Sequence, residues 1–255
     1  MRIAHLCQTY PPMISGQASM TKQLADGLVT LRHHNFIFAA SDLGQSYHSS
    51  EGRLGVHRAK SFSNPARVGQ RLFLWPYTSL IQKLSQFNPH IIHVHDPVIP
   101  SILGIKAKKE LNIPALITAH QVPSFISTHF PKAYSFDEHI ENLLWKYAKW
   151  SLSNYEGIVA PSNTIAELIS ARTGYKVDTI SNGINLDVFN RAPTKAKKKR
   201  SLKIKFRLHP DKPIILHVGQ INFEKRVDIA VKAALKVMES KVAQLLVVGD
   251  GNHMT

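Results

Sequence analysis

The sequence predicts an α/β protein built on a parallel, doubly wound sheet, and three observations carry that expectation. Short apolar runs such as Arg2–Cys7, Asn35–Ala40, His90–His95, Pro114–Ala119 and Gly157–Ala160 recur along the chain with helix-length segments between them. Such alternation is the mark of βα units. A later run, Ile214, Ile215, Leu216 and Val218, is apolar on both sides, as a strand covered on both faces requires. Several runs also end in Gly, Pro or Ser just before a helix signal, which is the strand–turn–helix connection of a parallel sheet.

The elements follow in order. Arg2–Cys7 reads as the first strand and Tyr10–Ser19 as a loop. Thr21–Arg32 places Leu24, Leu28 and Leu31 on one face of a helix. Asn35–Ala40 is a second strand, and His57–Ala59 belongs to a short third one. Residues 61–78 show no clear period, with Pro65 and Pro76 bracketing a basic, aromatic stretch. Tyr77–Phe87 reads as a helix stopped by Asn88-Pro89, because the residue before proline is driven out of helical backbone. A strand at His90–His95, a helix through Gly104–Leu111 and a strand at Pro114–Ala119 come next, then a long loop holding Pro123 and Pro131. Glu138–Leu152 is an amphipathic helix. Gly157–Ala160 is a strand, after which Thr164 and Glu167 fit a capping box opening another helix. Lys176–Ile180 and Asn182-Gly183 close a first domain, residues 1–183. Residues 184–212 read as a linker with a short helix, and 213–255 as the beginning of a second domain. Two or three strands cannot bury a sheet on both faces, so this second domain is expected to be present only in part.

At 255 residues and 44% apolar content, the chain can bury a sizeable core. Its 32 Lys+Arg against 17 Asp+Glu give a formal charge of +15, which favours anionic partners such as headgroups or nucleotide phosphates. No nucleic-acid-binding motif accompanies the charge, so no nucleic acid partner is expected. Cys7 stands alone and reads as a small buried hydrophobe in a reducing compartment. The opening apolar run is too short for a signal peptide, and no stretch approaches the ~20 apolar residues of a spanning helix. The expectation is a cytoplasmic protein able to touch the inner face of the plasma membrane peripherally.

The segment 213–228, PIILHVGQINFEKRVD, concentrates the candidate chemistry: a strand, the turn at Gly219 and Gln220, then Glu224-Lys225 at a helix start. Ligands of open α/β sheets sit at strand carboxyl ends, and helix N-termini favour phosphate, so Lys225 there points to an anionic ligand. Gly16, between the first strand and a helix, either lets backbone approach a phosphate or sugar or is an ordinary turn glycine. His120 ends a strand and opens a long loop, where an imidazole can hydrogen-bond a reaction centre or serve the fold. His93 and His95 face the same way on a strand, yet the sequence spacing offers no third metal ligand. Residues 64–77 join Arg67 and Arg71 to Phe73, Trp75 and Tyr77; the set suits membrane or acceptor contact, and equally an inward-packed loop. Lys106, Lys108 and Lys109, and the run Lys195–Arg200, read as solvated charge.

Six segments in order, QTYPPMISGQAS at 8–19, PHIIHVHDP at 89–97, LITAHQVP at 116–123, VAPSNT at 159–164, SNGINLDVF at 181–189 and LLVVGDG at 245–251, resemble the family 4 retaining glycosyltransferases, as does the Glu-Lys segment. The resemblance spans the whole chain and implies two facing Rossmann-like domains of the GT-B type. It implies a hexosyltransferase that moves a hexose from a nucleotide-diphosphate sugar to a hydroxyl acceptor with retained configuration. The opening segment is most similar to members that glycosylate membrane lipids. By the same resemblance His120 touches the donor sugar, Lys225 stabilises the leaving diphosphate, and Gly16, Gly219, Gln220 and Glu224 belong to the donor site. No cofactor is implied, and no Asp-x-Asp pair is present to hold a divalent ion, so metal independence is expected.

The chain departs from the family in three places. Ser15 stands before Gly16 where two glycines are usual. Gln220 replaces the arginine expected after Gly219, removing a charge-assisted contact of about 1.5–3 kcal/mol, with Arg226 the nearest replacement in sequence. The chain also reaches Thr255 before the family's acidic pair, so this span alone is expected to be inactive. Two rival readings remain: a polyanion-binding protein using Lys195–Arg200, and a catalytically dead relative kept as a membrane-binding module.

Overall fold

The computed structural model describes residues 1–65, 69–123, 138–189, 196–221, 225–240 and 242–251. The chain divides into two compact units, Met1–Asn185 and Leu186–Thr255.

The strands of the first unit are β1 (Arg2–Leu6), β2 (His34–Ala40), β3 (Tyr47–Glu51), β4 (Leu54–Ala59), β5 (Phe62–Ser63), β6 (Arg71–Leu72), β7 (Ile91–Val94), β8 (Ala115–Thr118), β9 (Gly157–Ala160) and β10 (Asp178–Thr179). Its helices are α1 (Gly16–Thr30), α2 (Tyr77–Phe87), α3 (Ile99–Leu111), α4 (Glu138–Leu152) and α5 (Asn163–Thr173). Eight strands form one sheet in the order β10-β9-β8-β7-β1-β2-β4-β3. All pairings are parallel except β3 with β4, which places one antiparallel strand at an edge. From β1 the chain winds outward through β2 to β4, crosses by way of α2 to β7, and winds outward again to β10. The doubly wound sheet expected from the sequence is therefore present, with its switch point between β1 and β7.

Both faces of the sheet are covered. On one, Leu6, Phe38, Ile92, Val94 and Ile117 pack with Leu80 and Leu84 of α2, Leu103 of α3 and Trp145 of α4. On the other, Cys7, Ile37, Ala39 and Val56 pack with Ala25 of α1 and with Tyr10. The α1 face differs from the sequence reading. Ala18, Thr21 and Ala25 are the buried residues, whereas Leu31 is 68% exposed. Leu24 and Leu28 flank this buried stripe and are half-buried, so the sequence reading errs only at Leu31. Its start also moves forward: Ser15 caps it, accepting a hydrogen bond from Ala18 N at 2.9 Å. Likewise α5 is capped by Ser162, through Ile165 N at 3.4 Å, rather than by Thr164.

Close approach explains Gly104 in the middle of α3. A Cβ there would lie 2.6 Å from Val94 Cγ2 and 3.3 Å from the Tyr155 hydroxyl. The same hydroxyl donates to Ser101 O at 2.9 Å, and the Ser101 and Ser151 hydroxyls lie 2.7 Å apart, so α3 and α4 share a buried polar seam.

The second unit holds α6 (Ala196–Lys205), β11 (Ile214–Val218), α7 (Val227–Met238) and β12 (Gln244–Val248), with β11 and β12 parallel. Leu202 and Phe206 meet Ile214 and Leu246 in an apolar hollow. Further along β11, Leu216 and Val218 are 58% and 68% exposed, so burial of this strand on both faces is not found among the described residues. Gly249 and Gly251 let the two strand-end loops lie backbone to backbone: Gly219 N donates to Val248 O at 3.0 Å and Ile221 N to Asp250 O at 2.9 Å. A side chain at either glycine would collide with the carbonyl of Gly219 or Ile221.

Gly104→Val should force α3 off the sheet and lower the unfolding free energy by about 1–3 kcal/mol, the usual cost of overpacking. Urea unfolding followed by circular dichroism reads this as a reduced midpoint at unchanged slope.

Candidate functional site

Where neighbouring parallel strands send their chains in opposite directions, a crevice opens at their carboxyl ends. Here β1 runs out into Cys7 and Gln8, β7 into His95 and Asp96, and β8 into Ala119 and His120. Asp96 is the polar centre of this end. Its Oδ2 accepts from Gln8 N at 2.6 Å and from the Gln17 side chain of α1. Burial raises its pKa to about 6 despite these two donors. One carboxyl thus fastens the β1 exit loop and the first turn of α1 to the end of β7.

A second fastening comes from Arg58 on β4, which is 3% exposed. Its guanidinium donates to Tyr10 O at 3.1 Å, to Ala40 O at 3.2 Å and to Pro11 O, and lies 5.2 Å from the centre of the Tyr10 ring. Three carbonyls satisfy the fork of a buried cation and fix the path of the loop leading to Ser15 and Gly16.

Below the strand ends lies a group of imidazoles. His5 on β1 is paired in register with His93 on β7, and His95 follows two residues later on the same side. His5 Nε2 is 3.0 Å from Asn35 Oδ1 and His5 Nδ1 is 3.1 Å from His95 Nε2. The amide oxygen only accepts, so His5 carries its proton on Nε2, and His95 Nε2 donates to the His5 Nδ1 lone pair. That leaves His95 Nδ1 buried and without a partner among the described residues. His93 Nε2 meets the Thr118 hydroxyl at 2.7 Å. Burial holds His5 down at about 4 and His93 and His95 well below the ordinary histidine value, so all three are neutral at physiological pH. The sequence spacing had shown no third partner for His93 and His95; the fold corrects this by bringing His5 from the adjacent strand. Because β1 and β7 are about ninety residues apart in sequence, only the sheet order reveals it.

His120 stands two residues past the end of β8, partly buried, with its backbone N–H donating to Thr118 O at 3.1 Å. Burial lowers its pKa to about 4, its ring stacks on His95 with centroids 5.8 Å apart, and its Nε2 has no hydrogen-bond partner among the described residues. Gly16 is the first residue of α1, exposed, with open space where a side chain would sit. Gly16, Asp96 and His120 therefore share the carboxyl end of one sheet.

In the second unit, Gly219 and Gln220 follow β11, and Lys225 lies in the turn before α7, with Gln220 and Lys225 both exposed. Glu224 lies outside the described residues. The Arg226 guanidinium is engaged by Asp228 at 3.1 and 3.2 Å, so the arginine read as a replacement for the missing one is held by its own neighbour. Of the residues read as acceptor or membrane contacts, Arg67 lies outside the described residues. Arg71 turns to its own hairpin, donating to the Ser61 hydroxyl at 2.9 Å, Ser61 O at 3.0 Å and the Ser63 hydroxyl at 3.2 Å. Trp75 is 49% exposed and stacks with Tyr77, with Lys106 Nζ 5.4 Å and 5.2 Å from the two ring centres. Asp96, Gln17, Arg58 and His5 were not singled out as site residues by sequence alone. Asp96 offered the clearest signal, an acid directly after a strand end.

Comparison with known proteins identifies the family and the fold type. The family model described as Glycosyltransferase Family 4 matches residues 14–188. Alpha-monoglucosyldiacylglycerol synthase of Streptococcus pneumoniae is 25% identical over 259 residues, covering 100% of this chain and 57% of its own length. GDP-mannose-dependent alpha-mannosyltransferase of Mycobacterium tuberculosis is 24% identical over 263 residues, covering 98% of this chain and 63% of its own. Sucrose-phosphate synthase from Thermosynechococcus elongatus superposes with a TM-score of 0.73 at 18% identity, over 100% of this chain and 63% of that one, which speaks to the α/β, GT-B type fold. The chain thus spans about three fifths of the length of the relatives it matches.

The buried imidazoles make stability depend on pH. His5, His57 and His120 titrate at about 4 in the fold, and His93 and His95 also lie well below their usual 6.5. Their contribution is complete above the unfolded value and is lost as pH falls through the folded one. Asp96, raised to about 6, works in the opposite sense, its contribution being lost as pH rises through that value, but it is one group against five. Thermal unfolding should therefore show a midpoint that falls steeply between about pH 6.5 and 4; a flat profile would contradict the burial of these rings.

Proposed function

The chain belongs to glycosyltransferase family 4, and on that footing we propose that it serves a retaining hexosyltransferase. A hexose moves from a nucleotide-diphosphate sugar to a hydroxyl of a membrane lipid. The observations that carry the reading lie at the carboxyl ends of β1, β7 and β8. A His120 nitrogen without a hydrogen-bond partner among the described residues, the Asp96 carboxyl and the exposed start of α1 at Gly16 belong to the same end of the sheet.

In this reading His120 holds a hydroxyl of the donor sugar and orients it for transfer. Its neutral ring both accepts and donates hydrogen bonds, which suits a sugar better than a cation would. The backbone at Gly16 closes over the donor, since nothing occupies the space a side chain would fill. Lys225 stabilises charge on the departing diphosphate, with Gln220 and Gly219 beside it in the strand-end loop and Glu224 completing the donor site. Charge neutralisation at the diphosphate thus falls to an ammonium, with no metal ion at that position. The acceptor hydroxyl attacks on the face from which the diphosphate leaves, so configuration is kept.

A lipid acceptor is supported by the relative named as a glucosyldiacylglycerol synthase. It is also supported by the exposed Trp75–Tyr77 pair with Lys106 above it, a combination that suits a headgroup layer, and by the charge of +15. No helix is long and apolar enough to cross a membrane among the described residues, so the contact would be peripheral. The catalytically dead alternative finds no support in the relatives, which carry the names of transferases and synthases.

The test is turnover of UDP-glucose and GDP-mannose by the protein carrying this chain, with and without vesicles containing diacylglycerol and anionic lipid. Lys225→Ala should lower kcat by roughly 10²–10³-fold, and His120→Ala by about 10²-fold, each with unchanged circular dichroism. Absence of turnover with either donor in a folded, vesicle-binding protein would overturn the reading.

A further inference from the structure

The geometry points to a transition-metal site of the zinc type formed by His5, His93 and His95, seated within the sheet of the first unit and distinct from the diphosphate chemistry given to Lys225. One ring nitrogen from each residue lies within 4.8 Å of the other two. His5 Nδ1 and His95 Nε2 are already 3.1 Å apart. Two nitrogens around a tetrahedral zinc, with Zn–N near 2.0–2.1 Å, are about 3.3–3.4 Å apart. Ring centroids of His5 to His93 and His5 to His95 are 5.6 and 5.4 Å apart, and those of His93 and His95 4.0 Å. The three nitrogens have to close from separations of up to 4.8 Å, and the His93 and His95 rings, with centroids 4.0 Å apart, have to reorient about the ion.

The outer hydrogen bonds fit the same assignment. A metal-bound imidazole normally passes its remaining N–H to an oxygen, which fixes the ring. His5 does this through Nε2 to Asn35 Oδ1 and His93 through Nε2 to the Thr118 hydroxyl, leaving Nδ1 of each for the ion. His95 contributes Nε2, the atom now bonded to His5.

Ligand chemistry selects the ion. Three neutral imidazoles without a carboxylate suit Zn²⁺, Co²⁺, Ni²⁺ or Cu²⁺. Mg²⁺ and Ca²⁺ require oxygen ligands that this set lacks.

The test begins with chelator-treated protein titrated with Co²⁺ and then Zn²⁺. One equivalent should bind, giving visible ligand-field absorption that Zn²⁺ bleaches, and the thermal midpoint should rise with free metal concentration. X-ray absorption at the zinc edge of the unsubstituted protein should report three imidazole nitrogens. His93→Asn and His5→Gln should each weaken binding by at least ~10-fold, while the exposed His139→Gln leaves it unchanged. No stoichiometric binding at micromolar Zn²⁺ overturns the site, as does an equivalent retained at full affinity in His93→Asn. If either variant fails to fold, the absorption spectrum of the unsubstituted protein still decides: fewer than three imidazoles refutes the assignment.

Discussion

Placement of β1 between β2 and β7 is the constraint on which the first unit depends. Both edges of β1 are hydrogen-bonded, in register, to strands that begin about thirty and ninety residues later. That single placement makes the sheet doubly wound. It also opens the crevice at the carboxyl ends and brings Gln8 to Asp96, and it sets His5 opposite His93. Without it, the end of β1 and the end of β7 would present separate polar residues rather than one surface.

Much of this was legible from the sequence because βα alternation is local. A strand ended by turn residues and followed by a helix can be read within about thirty residues, and the parallel strands and most helices appear where periodicity placed them, whereas the antiparallel edge strand β3 and the short β5 and β6 were not anticipated. Features that depend on which strands become neighbours were not legible. His93 and His95 showed their common face, but the third imidazole is on another strand. Arg58 looked like any basic residue on a short strand, yet it collects two carbonyls from the loop after β1 and one from the end of β2. Within α1, leucine spacing suggested the buried stripe, yet the fully buried residues are Ala18, Thr21 and Ala25, with Leu24 and Leu28 half-buried beside them. Lys225 and His120 were placed by pattern, and the roles given to them rest on the chemistry of strand ends.

The distribution of charge also separates two uses of basic residues. Most of the excess lies on the surface, where water screens it and anionic partners sense it as a field. Among the described residues Arg58 is the exception, a cation removed from water whose cost is offset by three backbone carbonyls and by the Asp42 carboxylate 3.9 Å away. Histidine follows the opposite course: the buried rings lose their charge rather than find counter-ions. A chain this basic can therefore keep its interior nearly neutral, and Arg71, spent on the Ser61–Ser63 turn, shows that even outward-looking cations serve local geometry.

The position of β1 has a further meaning for how the chain acquires its fold. This strand is synthesised before both of its partners but has to be paired on both sides, and its second partner appears only when residues 91–94 have left the ribosome. At ~5–20 residues per second, the interval is several seconds. During that time one edge of an apolar strand stays unpaired, a template for unwanted strand addition. Closing so long a loop makes β1–β7 pairing a high-contact-order step, slow compared with formation of α1 or α2. The strand that organises the finished sheet is thus also the one most exposed to error while the sheet is being made.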